Sequence, residues 1–195
     1  MSLQKYFEGS WTVSRRLCYR TGGGKGTFEG VATFTPCQLC SSAAAGAQQA
    51  LLYSESGTVE LELPSRMTAE AEKQYAFLCD DAGRGGSGGG AVHFVKRSRS
   101  KIHGGGAFEL AGLFHALDFA AGAGSGAASG GEAAAAAAAP LPAGADEACF
   151  THLCIADTYS GRLQRTNADA FVWSWRITGP KKDGEIHTEY ARVNR

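Results

Sequence analysis

The feature that most constrains this chain is a two-residue rhythm of apolar side chains, repeated in short stretches. Residues 170–178 set Phe171, Trp173, Trp175 and Ile177 on one parity. Residues 27–35 do the same with Phe28, Gly30, Ala32 and Phe34, and residues 6–18 with Phe7, Gly9, Trp11, Val13 and Leu17. Successive side chains of a strand point to opposite faces, so such stretches bury one face only when extended. Glycine weakens strand interiors and suits connections. The clusters at 22–24, 83–90, 104–106 and 122–131 therefore read as breaks between strands.

Together these signals place strands at 6–18, 27–35, 50–55, 58–63, 73–79, 91–95, 108–119, 149–159, 162–165, 170–178 and 186–193. Ser56-Gly57 is expected to be a hairpin turn, residues 36–48 a loop, and a further turn is expected between 159 and 162. About ten short strands at hairpin spacing, with almost no helical period, predict an all-β fold: an antiparallel up-and-down barrel, whose closure removes exposed edges. The chain reads as one domain over 1–195, with a low-complexity Ala/Gly/Ser/Pro insertion at 120–145 expected to be disordered.

Bulk properties exclude several classes of function. Nineteen basic and nineteen acidic residues give a formal net charge of +0, so no global field favours nucleic acid or an anionic membrane. The longest apolar run, Ala133 to Ala139, is far short of the roughly 20 residues of a membrane span. A strand-like aromatic segment begins almost at once, which leaves no room for a secretory signal and points to the cytoplasm. Six cysteines are then expected to stay reduced.

Several ordered motifs run along nearly the whole chain. They are Phe7-x-Gly9-x-Trp11 with Arg15, Phe28-x-Gly30, Tyr53-x-Glu55-x-Gly57, Phe114-His115-x-Leu117-Asp118, and His152-x-Cys154-x-x-Asp157-x-Tyr159. Trp175-x-x-x-Gly179-Pro180-x-Lys182-Asp183 and Tyr190-x-Arg192 complete the set. On these residues the chain resembles the lipocalin/calycin-like group, and more closely the family known as domain of unknown function 6314. It departs at Gly184, where an aromatic is expected. The resemblance implies a calycin-type barrel and no established activity. It also implies that Arg192 packs over Trp11, beside Gly9, and plugs one end of the barrel. Such a cation–π contact contributes about 0.5–2 kcal/mol.

Strand parity sets several polar residues on apolar faces. Arg15 lies among Trp11, Val13 and Leu17, Glu55 beside Leu51 and Tyr53, and His115 among Leu113, Leu117 and Phe119. His152 lies with Phe150 and Cys154, and Asp157 and Tyr159 share a parity. An unpaired buried charge costs several kcal/mol, so these groups must find one another or a ligand. One reading is an internal network that fixes register. The other is a ligand-facing cluster, with Arg15 holding a carboxylate or phosphate and the histidines as donors or acid/base groups.

Cys37-x-x-Cys40 lacks a partner pair at finger spacing, so no metal is expected. The basic run Lys96–Lys101 lacks interleaved aromatics and reads as a solvated loop. No glycine cluster precedes a helix that could receive phosphate. Lys181, Lys182 and Asp183 read as a tight turn before the last strand. The leading expectation is a barrel that binds a small apolar or amphipathic molecule, with no resident cofactor. Behind it stand a barrel-mouth isomerase, cyclase or hydrolase using His115, His152, Asp157 and Tyr159, and a haem-binding barrel with His115 or His152 as axial ligand.

Overall fold

The alternating stretches form ten antiparallel strands that wrap into a nearly closed barrel. The computed structural model describes residues 2–38, 49–62, 65–80, 89–97, 108–119 and 146–193. In chain order the elements are α1 (Leu3–Phe7), β1 (Gly9–Thr21), β2 (Lys25–Gln38), β3 (Gln49–Glu62), β4 (Arg66–Asp80) and β5 (Gly89–Arg97). They continue with β6 (Phe108–Asp118), β7 (Glu147–Cys154), β8 (Asp157–Asn167), β9 (Ala170–Thr178) and β10 (Asp183–Arg192). The sheet order is β6-β5-β4-β3-β2-β1-β10-β9-β8-β7, so the first and last strands pair and the open edges belong to β6 and β7.

No backbone ladder joins β6 to β7 among the described residues. Side chains close that seam instead. His115 of β6 stacks flat on Phe150 of β7, with ring centroids 3.9 Å apart and planes 6° apart. Phe114 meets His152 edge-on at 5.0 Å.

Four expectations from the sequence are corrected. The first is Tyr6-Phe7, which belongs to a one-turn helix and not to the first strand. The Ser2 hydroxyl accepts from the Lys5 amide and caps that turn. Helical spacing then drives Leu3, Tyr6 and Phe7 together into the end of the barrel. Second, Ser56-Gly57 is no turn, because β3 runs unbroken through it and pairs with both β2 and β4. Gly57 faces Gly30 across the ladder, and a Cβ on Gly57 would lie 2.2 Å from the Glu29 carbonyl oxygen and 2.8 Å from the Phe28 ring. These glycines mark a close approach roofed by Phe28.

Third, the stretch expected as one strand over 149–159 breaks at Ile155-Ala156, where Ile155 adopts a φ of 62°. The turn expected after Tyr159 is absent. Gly161 lies inside β8 directly beneath the Phe150 ring, which occupies the space a side chain would need. Fourth, Leu113 does not share the inner face of His115. Val92 pairs with His115 while its neighbour His93 pairs with Leu113, so Phe114 is an extra residue in the ladder. This bulge turns Phe114 and His115 both toward the core and leaves Leu113 exposed.

Of the loop expected over 36–48, residues 36–38 belong to β2, which continues to Gln38, and the remainder lies outside the described residues. The insertion at 120–145, Cys40 and residues 98–101 of the basic run lie outside the described residues. The glycine at 184 is buried, and a Cβ there would meet the Tyr19 ring at 2.7 Å. Tyr19 pairs with Gly184 across β1 and β10, so the neighbouring strand supplies the aromatic that position 184 lacks.

At the closed end the guanidinium of Arg192 lies over the Trp11 ring at 4.1 Å. It also donates to the carbonyls of Tyr6 and Glu8 and to the Asp169 carboxylate. The Trp11 indole donates to the Phe7 carbonyl at 2.8 Å. Above this plug stand Phe34, Phe77, Phe171 and Tyr190, with Phe171 stacked on Tyr190 at 4.1 Å. The closed half of the barrel is a filled aromatic core, and the open half begins where Arg15 enters.

Candidate functional site

The register explains why charge gathers at that level. Arg15 on β1 faces Thr188 on β10, and Glu55 on β3 faces Lys73 on β4. Between Arg15 and Glu55 the intervening strand β2 presents Gly30 and Ala32, so the guanidinium can reach across it. Arg15 donates from both terminal nitrogens to the two Glu55 oxygens at 2.7 and 2.6 Å, and from Nε to the Thr188 hydroxyl at 2.9 Å. It also lies 5.0 Å from the centre of the Phe28 ring. The Lys73 ammonium sits 3.3 Å from the same carboxylate.

The Tyr53 hydroxyl donates to Glu55 as well. Its oxygen is 3.0 Å from the Tyr190 hydroxyl. Since Tyr53 spends its proton on Glu55, Tyr190 is the donor in that second bond. Burial pushes Tyr53 well above the usual tyrosine value and Tyr190 up to about 12, so both stay protonated at neutral pH. Burial alone would raise the Glu55 carboxyl. The Arg15 hydrogen bonds and the Lys73 charge outweigh it and hold the group below the ordinary carboxylate value.

The cluster therefore holds two cations against one carboxylate. Burial, with Arg15 beside it, brings Lys73 down to about 8, against an ordinary value of 10.5. The lysine is still largely charged at neutral pH.

A cavity of about 200 Å³ opens directly above this cluster. Its polar floor is Arg15, Lys73, Thr188 and Tyr190, and its walls are Tyr75, Phe114, Tyr159, Trp173 and Trp175. Leu17 and Ile186 line it on the side of β1 and β10. The cavity opens to solvent at its mouth. Its volume exceeds the roughly 150 Å³ that accommodates benzene and falls below the roughly 300 Å³ typical of drug-sized ligands.

The remaining candidate residues are placed as follows. Glu55 is buried beneath the cavity, where it anchors both cations. His115 is buried at the seam among Phe150, Trp173 and Trp175 and does not line the cavity. Neither of its ring nitrogens has a well-formed hydrogen bond among the described residues, and burial pushes its pKa down to about 3. His152 is partly buried between Phe114 and Tyr159. Asp157 accepts from the Lys181 and Lys182 amides at 3.0 and 3.2 Å and so pins the turn before β10. Tyr159 lines the cavity and its hydroxyl meets the Lys182 ammonium at 3.1 Å. Cys154 is exposed at the end of β7.

The structure thus joins Arg15 and Glu55 and leaves the two histidines, Asp157 and Tyr159 without a hydrogen bond among them in the described residues. Cys37 lies in β2 with its thiol pKa raised by burial. The expected set omits Lys73, Tyr75, Trp175 and Thr188. Lys73 carries the signal that singles out Arg15, a charge on the parity of Tyr75 and Phe77 within the strand expected at 73–79.

The model of DUF6314, a family of unknown function, matches residues 7–192. The chain belongs to this family. The match runs from Phe7 in α1 to Arg192, so the DUF6314 unit spans the plug, the whole sheet and the closing arginine. Among solved structures, the S-type phycobiliprotein lyase CPES from Guillardia theta is similar, with a TM-score of 0.56 at 10% identity over 100% of this chain and 94% of that one. At that identity the likeness shows the fold, a calycin-like barrel. A comparison with the curated proteins gives no match. No helix among the described residues is long and apolar enough to cross a membrane.

Proposed function

We propose that this DUF6314 barrel binds one small amphipathic molecule, with an acceptor-bearing head on Arg15 and Lys73 and an apolar body against the tryptophans. The observation that carries the reading is the excess of cation at the floor of an aromatic cavity. Two cations share a single carboxylate there, and the unused donors of Arg15 and Lys73 leave room for one more acceptor. A floor of this kind in a partly dehydrated site favours a carboxylate, a phosphate or a polarised carbonyl. Tyr75, Phe114 and Trp175 offer flat apolar surface to the rest of the molecule. The similar barrel is a phycobiliprotein lyase, and this supports the general reading of the barrel as a container.

The cavity is sized for a molecule of about one ring plus a short head, and anything longer must project through the open mouth. Haem is too large for such a space, and His115 stands outside it. The test is a titration with cinnamate followed by tryptophan fluorescence, because Trp173 and Trp175 line the cavity. Saturable quenching by cinnamate, with cinnamyl alcohol at least about tenfold weaker, is the expected result. Equal response to the acid and the alcohol, or no saturable response to either, refutes the proposal.

A further inference from the structure

Lys73 brings to the cavity a chemistry that simple binding leaves unused. A lysine becomes a nucleophile when it is desolvated in an apolar pocket or placed beside another cation. Lys73 stands beside another cation, and its side chain, one-third exposed, is partly desolvated against aromatic rings. Its ammonium lies 5.8 and 5.9 Å from the centres of the Tyr53 and Tyr75 rings, and its side chain lines the aromatic cavity. Arg15 is bound to both oxygens of the same carboxylate, including the Oε2 that Lys73 meets, which places a second positive charge beside the ammonium.

We propose that Lys73 holds an apolar aldehyde or ketone in this cavity as a Schiff base, an inference that rests on the binding reading of the same cavity. The Lys73 ammonium first releases a proton to water at the open mouth. The free amine then attacks the carbonyl carbon, forming the C–N bond as the π pair moves to oxygen. One proton passes from nitrogen to that oxygen to give the carbinolamine. The C–O bond breaks, the oxygen leaves as water with a second proton from nitrogen, and the resulting imine takes up a proton from solvent.

The sum is ammonium plus carbonyl giving protonated imine plus water. The site carries the same charge before and after, so Glu55 is the counter-ion of both the ammonium and the protonated imine. The groups that face Lys73 are Glu55 and Tyr53 on β3, Arg15 on β1, and Tyr75 on its own strand. Of these, Arg15 favours the free amine and Glu55 opposes it, while burial dominates. A lysine at about 8 holds on the order of two hundred times more free amine at pH 7.5 than an ordinary one. Lys182, by contrast, is held above the ordinary value by Tyr159 and does not compete.

The experiment treats the full chain at pH 7.5 with substoichiometric cinnamaldehyde and sodium cyanoborohydride, followed by intact mass and peptide mapping. Reduction traps an imine as a secondary amine, heavier by the aldehyde less one oxygen. The expected result is a single adduct on Lys73, formed on the order of ten times faster than on Lys5, Lys25 or Lys182 and suppressed by excess cinnamate. Lys73→Arg should lose the adduct, whereas Lys25→Arg, whose lysine does not line the cavity, should keep both the adduct and cinnamate quenching. Adducts spread evenly over the surface lysines, with cinnamate still quenching the tryptophans, overturn the Schiff base and leave the binding reading standing. Even labelling together with no cinnamate response overturns both. The wild-type mapping decides the matter even if the arginine variant fails to fold.

Discussion

Replacing Glu55 by glutamine tests the network beneath the cavity most directly. The substitution keeps the shape but removes the one carboxylate that, among the described residues, faces Arg15 and Lys73 together. Side-chain exposure decides how the loss divides. Arg15 is 12% exposed and Glu55 3%, so their bidentate pair is effectively buried, whereas Lys73 at 33% can turn toward water. Breaking a buried pair by removing one partner costs about 3–5 kcal/mol, and the screened lysine adds at most about 1 kcal/mol. With a urea m-value of about 2 kcal/mol per molar, the midpoint should fall by about 2 M at pH 7.

Adding Arg15→Met to Glu55→Gln should restore part of that loss, because it removes the charge left stranded. The pH profile carries a second signature. The folded Glu55 carboxyl is held below its ordinary value, so its contribution is full above that value and disappears as pH falls through the folded one. The glutamine variant should lack this acid loss. A midpoint shift worth less than about 1 kcal/mol, or a double variant weaker than the sum of the singles, would refute the argument that a buried ion pair organises the site.

Two further outcomes follow from the same interior. His115 is held at about 3 by burial, so the unfolded chain binds more protons between that value and the ordinary 6.5, and stability should drop as pH falls below 6.5. By pH 5 the loss is about 2 kcal/mol, and His115→Phe, which keeps the stack on Phe150, should flatten that part of the denaturation profile; an unchanged slope would show that His115 does not stay neutral. Gly57→Val should cost about 3 kcal/mol despite valine's strand preference, because a Cβ would fall 2.2 Å from the Glu29 carbonyl and 2.5 Å from the Gly30 Cα. An unchanged Tm in a thermal melt would mean the strands do not approach that closely.

Much of the barrel is legible in the chain because alternation is a local property. The Phe171-Trp173-Trp175-Ile177 face and the parity of Arg15 need no knowledge of partners, and both place residues where the structure has them inside. The misread points are those where glycine has two physical uses. Gly57 and Gly161 look like turns, yet each clears space for an aromatic ring, Phe28 or Phe150, that comes from a neighbouring strand. The bulge at Phe114 is likewise invisible, since an extra residue is defined only against the partner Val92-His93. Site residues divided the same way. Arg15 and Glu55 betray themselves as charges on apolar faces, and Lys73 carries the same signal beside Tyr75 and Phe77, but its place opposite Glu55 is set by the pairing of β4 with β3.

The seam between β6 and β7 has a consequence for the length of the chain itself. A hairpin fixes its loop to a few residues because the ladder on either side dictates the spacing. Here the two edges meet through rings such as His115 on Phe150, and a stacked pair imposes no such spacing on the connection. The cost of a longer connection then reduces to loop closure, which grows only with the logarithm of length. By that measure each doubling of the connection costs only about 0.6 kcal/mol. Barrel closure by stacking thus leaves one connection free to vary in length over evolution while the other nine strand joints keep their register.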